Sequence, residues 1–225
     1  MIGSTYQEKR WIFERHFLLG KLSSREIDAL LHYSRVEHYP AGCEIYPKGS
    51  PGTSLMAVLR GTAKMSSVSP EGKEIVFNII HPGEIFGEIA VLDGGERSAD
   101  AIAMHDCELL VLNRRDFMPV LENHADICLG LIRILCQRLR RTSEQVEDVL
   151  FRHLESRLAK QLLQLSEQSG EGRELRLSQS QLGTMVGGTR ESVNKLLQTW
   201  QRAGWIDLAK GTIIIRDRAA IERLV

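Results

Sequence analysis

The order of apolar and polar positions changes character three times along these 225 residues. Ser23-Ser24-Arg25-Glu26 stands just ahead of Ile27, Leu30 and Leu31. A hydroxyl followed three residues later by a carboxylate, before apolar residues at helical spacing, is a capping box and predicts a short helix. From about Val36 to Leu112 the apolar residues instead alternate or come in short runs, clearest at 54–59, 74–80 and 107–112. Gly42, Gly49, Gly52, Gly61, Gly72 and Gly83 fall between them. Many short strands at regular turn spacing predict a β-sandwich or roll, with Pro70-Glu71-Gly72-Lys73 at a hairpin tip.

A helical pattern takes over from about Arg115 to Phe151. Cys128, Ile132, Leu135, Leu139, Thr142, Val146 and Val149 follow one another at alternating steps of four and three. That spacing is a coiled-coil seam of about three heptads and predicts that two copies of the helix pair. The alternative is one amphipathic helix lying on its own β domain. Thr142 puts a hydroxyl into the seam, where it needs a partner: the base edge of a ligand, or the carbonyl one turn earlier. Leu154, Leu158, Leu162, Leu163 and Leu165 continue a further helix, followed by a polar loop at 166–173. No Gly/Pro-rich linker intervenes, so the two halves are expected to be coupled through a hinge near Phe151 and His153.

The last third reads as helix, glycine turn, helix and hairpin. Ser178 and Thr189 are candidate N-caps, Gly183 permits close helix packing, and Gly187 or Gly188 makes the turn. Leu182, Val186, Val193, Leu196 and Leu197 form the inward side. Arg190, Glu191, Asn194 and Lys195 are left outward at the start of the second helix, the end that enters a major groove in helix-turn-helix proteins. Residues 204–215 form a hairpin with Lys210-Gly211 at its tip, which completes a winged helix. The expected fold class is therefore α+β, divided as a β-roll at 1–114, a dimerisation helix at 115–151 and a winged helix-turn-helix at 152–225.

Composition adds limits. Apolar residues make up 43% and charged residues 26%, values ordinary for a soluble globular protein. The charged N-terminal residues carry no secretory pattern and no apolar run reaches membrane-spanning length, so a cytoplasmic protein with no membrane partner is expected. The formal net charge is zero. Residues 1–150, however, hold 17 Lys and Arg against 21 Asp and Glu, whereas 151–225 hold 12 against 8. A basic end behind an acidic front permits a nucleic-acid partner for the helix-turn-helix. Cys43, Cys107, Cys128 and Cys136 are too dispersed for a zinc or iron–sulfur site, and Cys128 and Cys136 are expected as small buried hydrophobes.

The candidate chemistry is concentrated in residues 83–99. Gly83 and Gly87 flank a turn whose main-chain N–H groups lie open to an anion. Arg97 can fork onto phosphate oxygens, and Ser98 adds a hydroxyl. Glu88 would repel a phosphate; as an acceptor-only carboxylate it suits a sugar hydroxyl. The stretch resembles the phosphate-binding cassette of cyclic-nucleotide-binding domains. With Thr142-Ser143-Glu144 in the seam helix and Arg190-Glu191-Ser192-Val193 in the winged helix, nearly the whole chain resembles the cAMP receptor protein/fumarate-nitrate regulator family.

That resemblance implies a non-enzymatic, homodimeric transcription regulator that binds a palindromic double-stranded DNA operator and is switched by a cyclic nucleotide. The effector expected is cAMP, with cGMP left open, and no prosthetic group or metal. Carried over by position, Gly87, Glu88, Ile89, Ala90, Arg97 and Ser98 would hold ribose and cyclic phosphate, Thr142 would meet the base in its own subunit, and Ser143 would meet the ligand of the other. Arg190, Glu191 and Lys195 would read bases, and Gln179, Ser180, Thr189, Ser192 and Lys210 would complete the DNA interface. RNA polymerase is an expected partner, although the loop at 169–173 departs from the segment that contacts it in the cAMP receptor protein. Lys195 stands where that relative has a second Arg, a point donor in place of a fork.

Three alternatives share features of the sequence. A regulator of the same fold could sense another small effector or a redox signal, although the cysteine group of the iron–sulfur branch is missing. A cupin-type enzyme would need clustered metal ligands, which His81 and His105 lack. A cyclic-nucleotide-sensing subunit of a partner enzyme would have no use for the base-reading helix and wing.

Overall fold

The computed structural model describes residues 10, 23–70, 72, 74–168, 174–175, 177–209 and 211–225. The chain forms two compact units, one of residues up to 67 with 76–139, the other of 68–75 with 140–225.

The earliest fully described element of the first unit is α1 (Ser24–Tyr33), held by the expected box: the Ser23 hydroxyl accepts from the Glu26 amide and the Glu26 carboxylate accepts from the Ser23 amide at 2.8 Å. Eight strands follow: β1 (Arg35–Tyr39), β2 (Glu44–Tyr46), β3 (Ser54–Arg60), β4 (Ala63–Val68), β5 (Glu74–Ile80), β6 (Ile85–Phe86), β7 (Asp100–Ala103) and β8 (Cys107–Asn113). They make two four-stranded sheets, ordered β1-β8-β3-β6 and β2-β7-β4-β5. The inner strands β3 and β8 are covered on both faces, which explains their nearly continuous apolar runs. Leu55, Ala57, Leu59, Leu110 and Leu112 pack towards the helices; Met56, Val58, Leu109 and Val111 alternate with them and fill the space between the sheets with Ile80, Phe86, Ala101 and Ala103. Between β6 and β7 lies a short helix, α2 (Glu88–Asp93), where the glycine spacing predicted only a turn.

The helical pattern after β8 is two helices, α3 (Arg114–Asn123) and α4 (Ala125–Phe151), broken at His124 (φ −131°, ψ 85°). The His124 carbonyl accepts the Ile127 and Cys128 amides and starts α4 afresh. Its ring Nε2 lies 2.7 Å from the Glu26 carboxylate on α1. Ile127, Leu131 and Ile134 of α4 are buried against this unit, while Ile132 and Leu139 are 53% and 68% exposed. Cys136 shares the outward side and is exposed, contrary to the expectation of burial. Its position follows the seam stripe rather than the core stripe. Cys128 is partly buried, its thiol against the Leu121 carbonyl. Farther along α4, Thr142, Ser143, Val146 and Val149 are exposed.

The second unit contains α5 (Leu154–Gln168), β9 (Glu174–Leu175), α6 (Gln179–Val186), α7 (Arg190–Arg202), β10 (Ile206–Ala209), β11 (Thr212–Ile215) and α8 (Arg218–Glu222). Its core joins Leu158, Leu162, Leu182, Val193, Leu197, Trp200, Ile206 and Ile213. The expected wing is present as β10 and β11, and β11 also pairs with β9 through Ile213↔Leu175. A strand of two residues leaves too little pattern to detect in a sequence. Lys210 at the wing tip, Glu71 and Lys73 of the β4–β5 tip and residues 169–173 lie outside the described residues. Among the described residues no helix is long and apolar enough to cross a membrane, and no cluster of three or more metal-ligating side chains occurs.

Candidate functional site

β6 ends at Gly87, whose left-handed backbone (φ 77°) turns the chain directly into α2. A Cβ here would lie 2.5 Å from Arg97 Nη1, so a larger residue would be strained by the backbone conformation and would displace the guanidinium packed over it. The turn delivers Glu88 as the first residue of α2, and its side chain is 1% exposed. One carboxylate oxygen, Oε1, is ion-paired with Arg138 Nη1 from α4. Arg138 Nη2 donates to the Ile85 carbonyl at 2.5 Å. The other oxygen, Oε2, is buried without a hydrogen-bond partner.

Arg97 is 5% exposed. Its Nη1 donates to the Gly87 carbonyl at 2.9 Å, and its Nη2 to the Ser54 carbonyl and hydroxyl at 2.8 and 3.1 Å. The fork expected for phosphate is thus committed to the protein, leaving Nε buried and unpartnered. The guanidinium carbon sits 4.2 Å above the centre of the Tyr46 ring. Burial lowers the Arg97 pKa from its usual range, with Tyr46 and Glu88 acting in the opposite sense. Burial is also the largest cause pushing Tyr46 up to about 12, with smaller influences from Arg97, Glu88 and Arg138. These four side chains therefore form one electrostatic cluster.

Buried polar atoms normally find partners. Here one acceptor (Glu88 Oε2) and one donor (Arg97 Nε) lack them in the same cluster, which suits a ligand carrying both a hydroxyl and an anionic group. Ala90 is buried in α2, whereas Ile89 and Ser98 are exposed. Thr142 and Ser143 belong to the other compact unit and are exposed on α4. The sequence reading missed Arg138, Tyr46 and Ser54. Only Arg138 left a signal: Ile127, Leu131, Ile134 and Arg138 form a second stripe at steps of four, three and four, with a cation at an inward position.

In the second unit, the Ser178 hydroxyl accepts from the Gln181 amide at 3.2 Å and the Gln181 side chain accepts from the Ser178 amide at 2.8 Å. Gly187 closes α6 in the left-handed region (φ 65°), and the Gly188 amide returns to the Gly183 carbonyl at 2.9 Å. This tight turn leads into Thr189, whose hydroxyl caps α7 by accepting the Ser192 amide at 3.1 Å and lies 2.9 Å from the Ser192 hydroxyl. Arg190, Glu191, Ser192 and Lys195 are exposed along the first turns of α7, opposite buried Val193, Leu197 and Trp200. Leu196 is only partly buried. At the start of α6, Ser180 is exposed and Gln179 half-buried.

Residues 36–124 match the family model of the cyclic nucleotide-binding domain, and residues 156–224 that of the Crp-like helix-turn-helix domain. A CRP-like cAMP-activated global transcriptional regulator of Mycobacterium tuberculosis is 32% identical over 203 residues, which are 88% of this chain and 91% of that protein. The solved structure of the Thermus thermophilus catabolite activator protein is also 32% identical, with a TM-score of 0.52 over 92% of this chain and 97% of its own. The c-di-GMP responsive global regulator CLP of Xanthomonas campestris shares the fold at 22% identity, with a TM-score of 0.76 over 86% of this chain and 99% of that one.

Proposed function

Since this chain belongs to the family of Crp-like, cyclic-nucleotide-binding transcription regulators, we propose that its effector is cAMP and that it works as a homodimer on a palindromic operator. It is a DNA-binding transcription regulator controlled by a cyclic nucleotide. The observation that carries the effector site is the buried, unpartnered pair Glu88 Oε2 and Arg97 Nε. A ribose hydroxyl donates to the first and a cyclic phosphate oxygen accepts from the second. Gly87, Ile89, Ala90 and Ser98 shape the rest of the cassette, and Arg138 holds the Glu88 carboxylate in place.

Residues 1–114 are assigned to effector binding, 115–151 to dimerisation and 152–225 to DNA. The exposed Ile132 and Leu139, with Val146 and Val149 farther on, supply the apolar seam for a second copy. Thr142 meets the effector's base in its own subunit, and Ser143 meets the effector of the other. On DNA, Arg190, Glu191 and Lys195 read base edges, while Gln179, Ser180, Thr189, Ser192 and Lys210 meet the backbone. RNA polymerase is the partner that turns operator binding into regulation, and the working compartment is the cytoplasm. Effector binding selects the dimer geometry in which both α7 helices fit successive major grooves.

Selection of bound duplexes from a random pool, with and without cAMP, tests the reading. A palindromic motif enriched only with cAMP is expected. A chain that selects no motif in either condition, or the same motif in both, overturns it.

A further inference from the structure

The cassette motif names Arg97, but it does not say what keeps a buried cation ready for an anion. Three elements do so here. The Gly87 turn and the start of β3 take the two Nη groups, and the face of the guanidinium rests on Tyr46 at the end of β2. Tyr46 is itself fixed, its ring 6.0 Å from that of Phe86. Its hydroxyl faces the Met65 sulfur at 3.7 Å, a weak acceptor. The contact that uses this side chain most fully is therefore its ring face against Arg97.

We propose that Tyr46 is a positioning residue for the effector's phosphate, its ring holding the Arg97 guanidinium so that the unpaired Nε–H is the donor presented to the anion. The inference rests on the cyclic-nucleotide reading of this site and deepens it. Buried arginine nitrogens are normally all paired; this side chain keeps a single unpaired nitrogen, in the same electrostatic cluster as a carboxylate oxygen in the same condition. A cation immobilised in advance also loses little conformational freedom when the ligand arrives. Stacking on an aromatic face both orients the guanidinium and replaces some of the hydration lost on burial.

The test is calorimetric titration of cAMP into the wild type, Tyr46→Phe, Tyr46→Leu and Tyr46→Met. The same leucine change is also made in an Arg97→Lys background, and melting curves confirm folding. Phenylalanine keeps the ring and is expected to bind within about twofold of wild type, whereas leucine and methionine lose about tenfold. In the lysine background the leucine change is expected to cost less than about twofold, because the planar guanidinium that stacks on the ring is gone. Methionine, closer in length and flexibility, carries the test should leucine fail to fold. Equal affinity in all variants, equal loss in phenylalanine and leucine, or an undiminished loss in the lysine background each overturns the positioning role while leaving cAMP as effector. A wild type that takes up no cyclic nucleotide removes the functional reading, and this inference with it.

Discussion

Arg138, midway along α4, is ion-paired with the buried carboxylate of Glu88 at the first turn of α2, fifty residues earlier in the chain. The pair fastens the longest helix to the candidate effector site, and it is asymmetric. Glu88 is almost fully enclosed, whereas the Arg138 side chain is 25% exposed. Removing the cation strands a buried anion, whereas removing both charges does not.

Arg138→Ala is therefore expected to lower unfolding free energy by about 2–4 kcal/mol, read from urea denaturation. Glu88→Gln combined with Arg138→Met should recover much of that loss. A double variant as unstable as the sum of the two single ones would show that the pair has no such coupling.

Gly87→Ala places a methyl group 2.5 Å from Arg97 Nη1, on a backbone at φ 77°. Strain alone is expected to cost about 1–2 kcal/mol. Displacement of the guanidinium should weaken cAMP binding by more than about tenfold, measured by calorimetry. Unchanged affinity would mean that Arg97 moves aside without consequence.

Tyr46 gives a signature at high pH. Its pKa is raised from 10.0 to about 12 by burial. Because the folded-state value lies above the unfolded one, the contribution is complete below about pH 10. It is lost as pH rises towards 12, where the unfolded chain releases the proton more readily. The difference in stability between wild type and Tyr46→Phe should fall by about 2–3 kcal/mol across that interval. Denaturation at closely spaced pH values measures it, and a flat difference refutes the assignment.

At the DNA-reading end, Arg190→Ala is expected to relax preference at one base pair by about 1–3 kcal/mol in competition binding. A uniform loss over all sequences would make it a phosphate contact. Thr189→Ala acts differently, since its hydroxyl caps α7. It should cost about 1 kcal/mol of stability in addition to any loss of phosphate contact.

Leu139→Glu tests the seam. The residue is 68% exposed in the single chain, so its own fold should tolerate the change. Sedimentation is expected to show a monomer with much weakened operator binding. A stable dimer would move the pairing surface elsewhere.

Features set by nearby residues were legible in the sequence. The Ser23 capping box, the Ser178 and Thr189 caps, the strand alternation of the β-roll, the glycine turn before α7 and the hairpin wing depend on neighbours a few positions apart. The short helix α2 and the strand β9 were missed because they are too short to show a period. The break at His124 was hidden because α3 and α4 are both amphipathic and only five residues, Glu122 to Asp126, separate buried Leu121 from buried Ile127. The surroundings of the site were less accessible still. Ser54 meets Arg97 across 43 positions and Arg138 meets Glu88 across 50. No local pattern encodes those meetings; the packing of α4 and of the segment between β6 and β7 creates them. Cys136 was misassigned for a related reason: an apolar residue on a helix with two apolar stripes does not declare which stripe it joins.

His124 also serves as an index mark for everything that follows it on α4. The new helix starts there, so the inward bearing of Arg138 and the outward bearing of Ile132 and Leu139 are both counted from that one carbonyl. A single residue added between His124 and Ile127 would swing every later side chain by about 100°. The carboxylate clasp and the apolar seam would then be lost together, so the length of this junction is constrained even where its residue types are not.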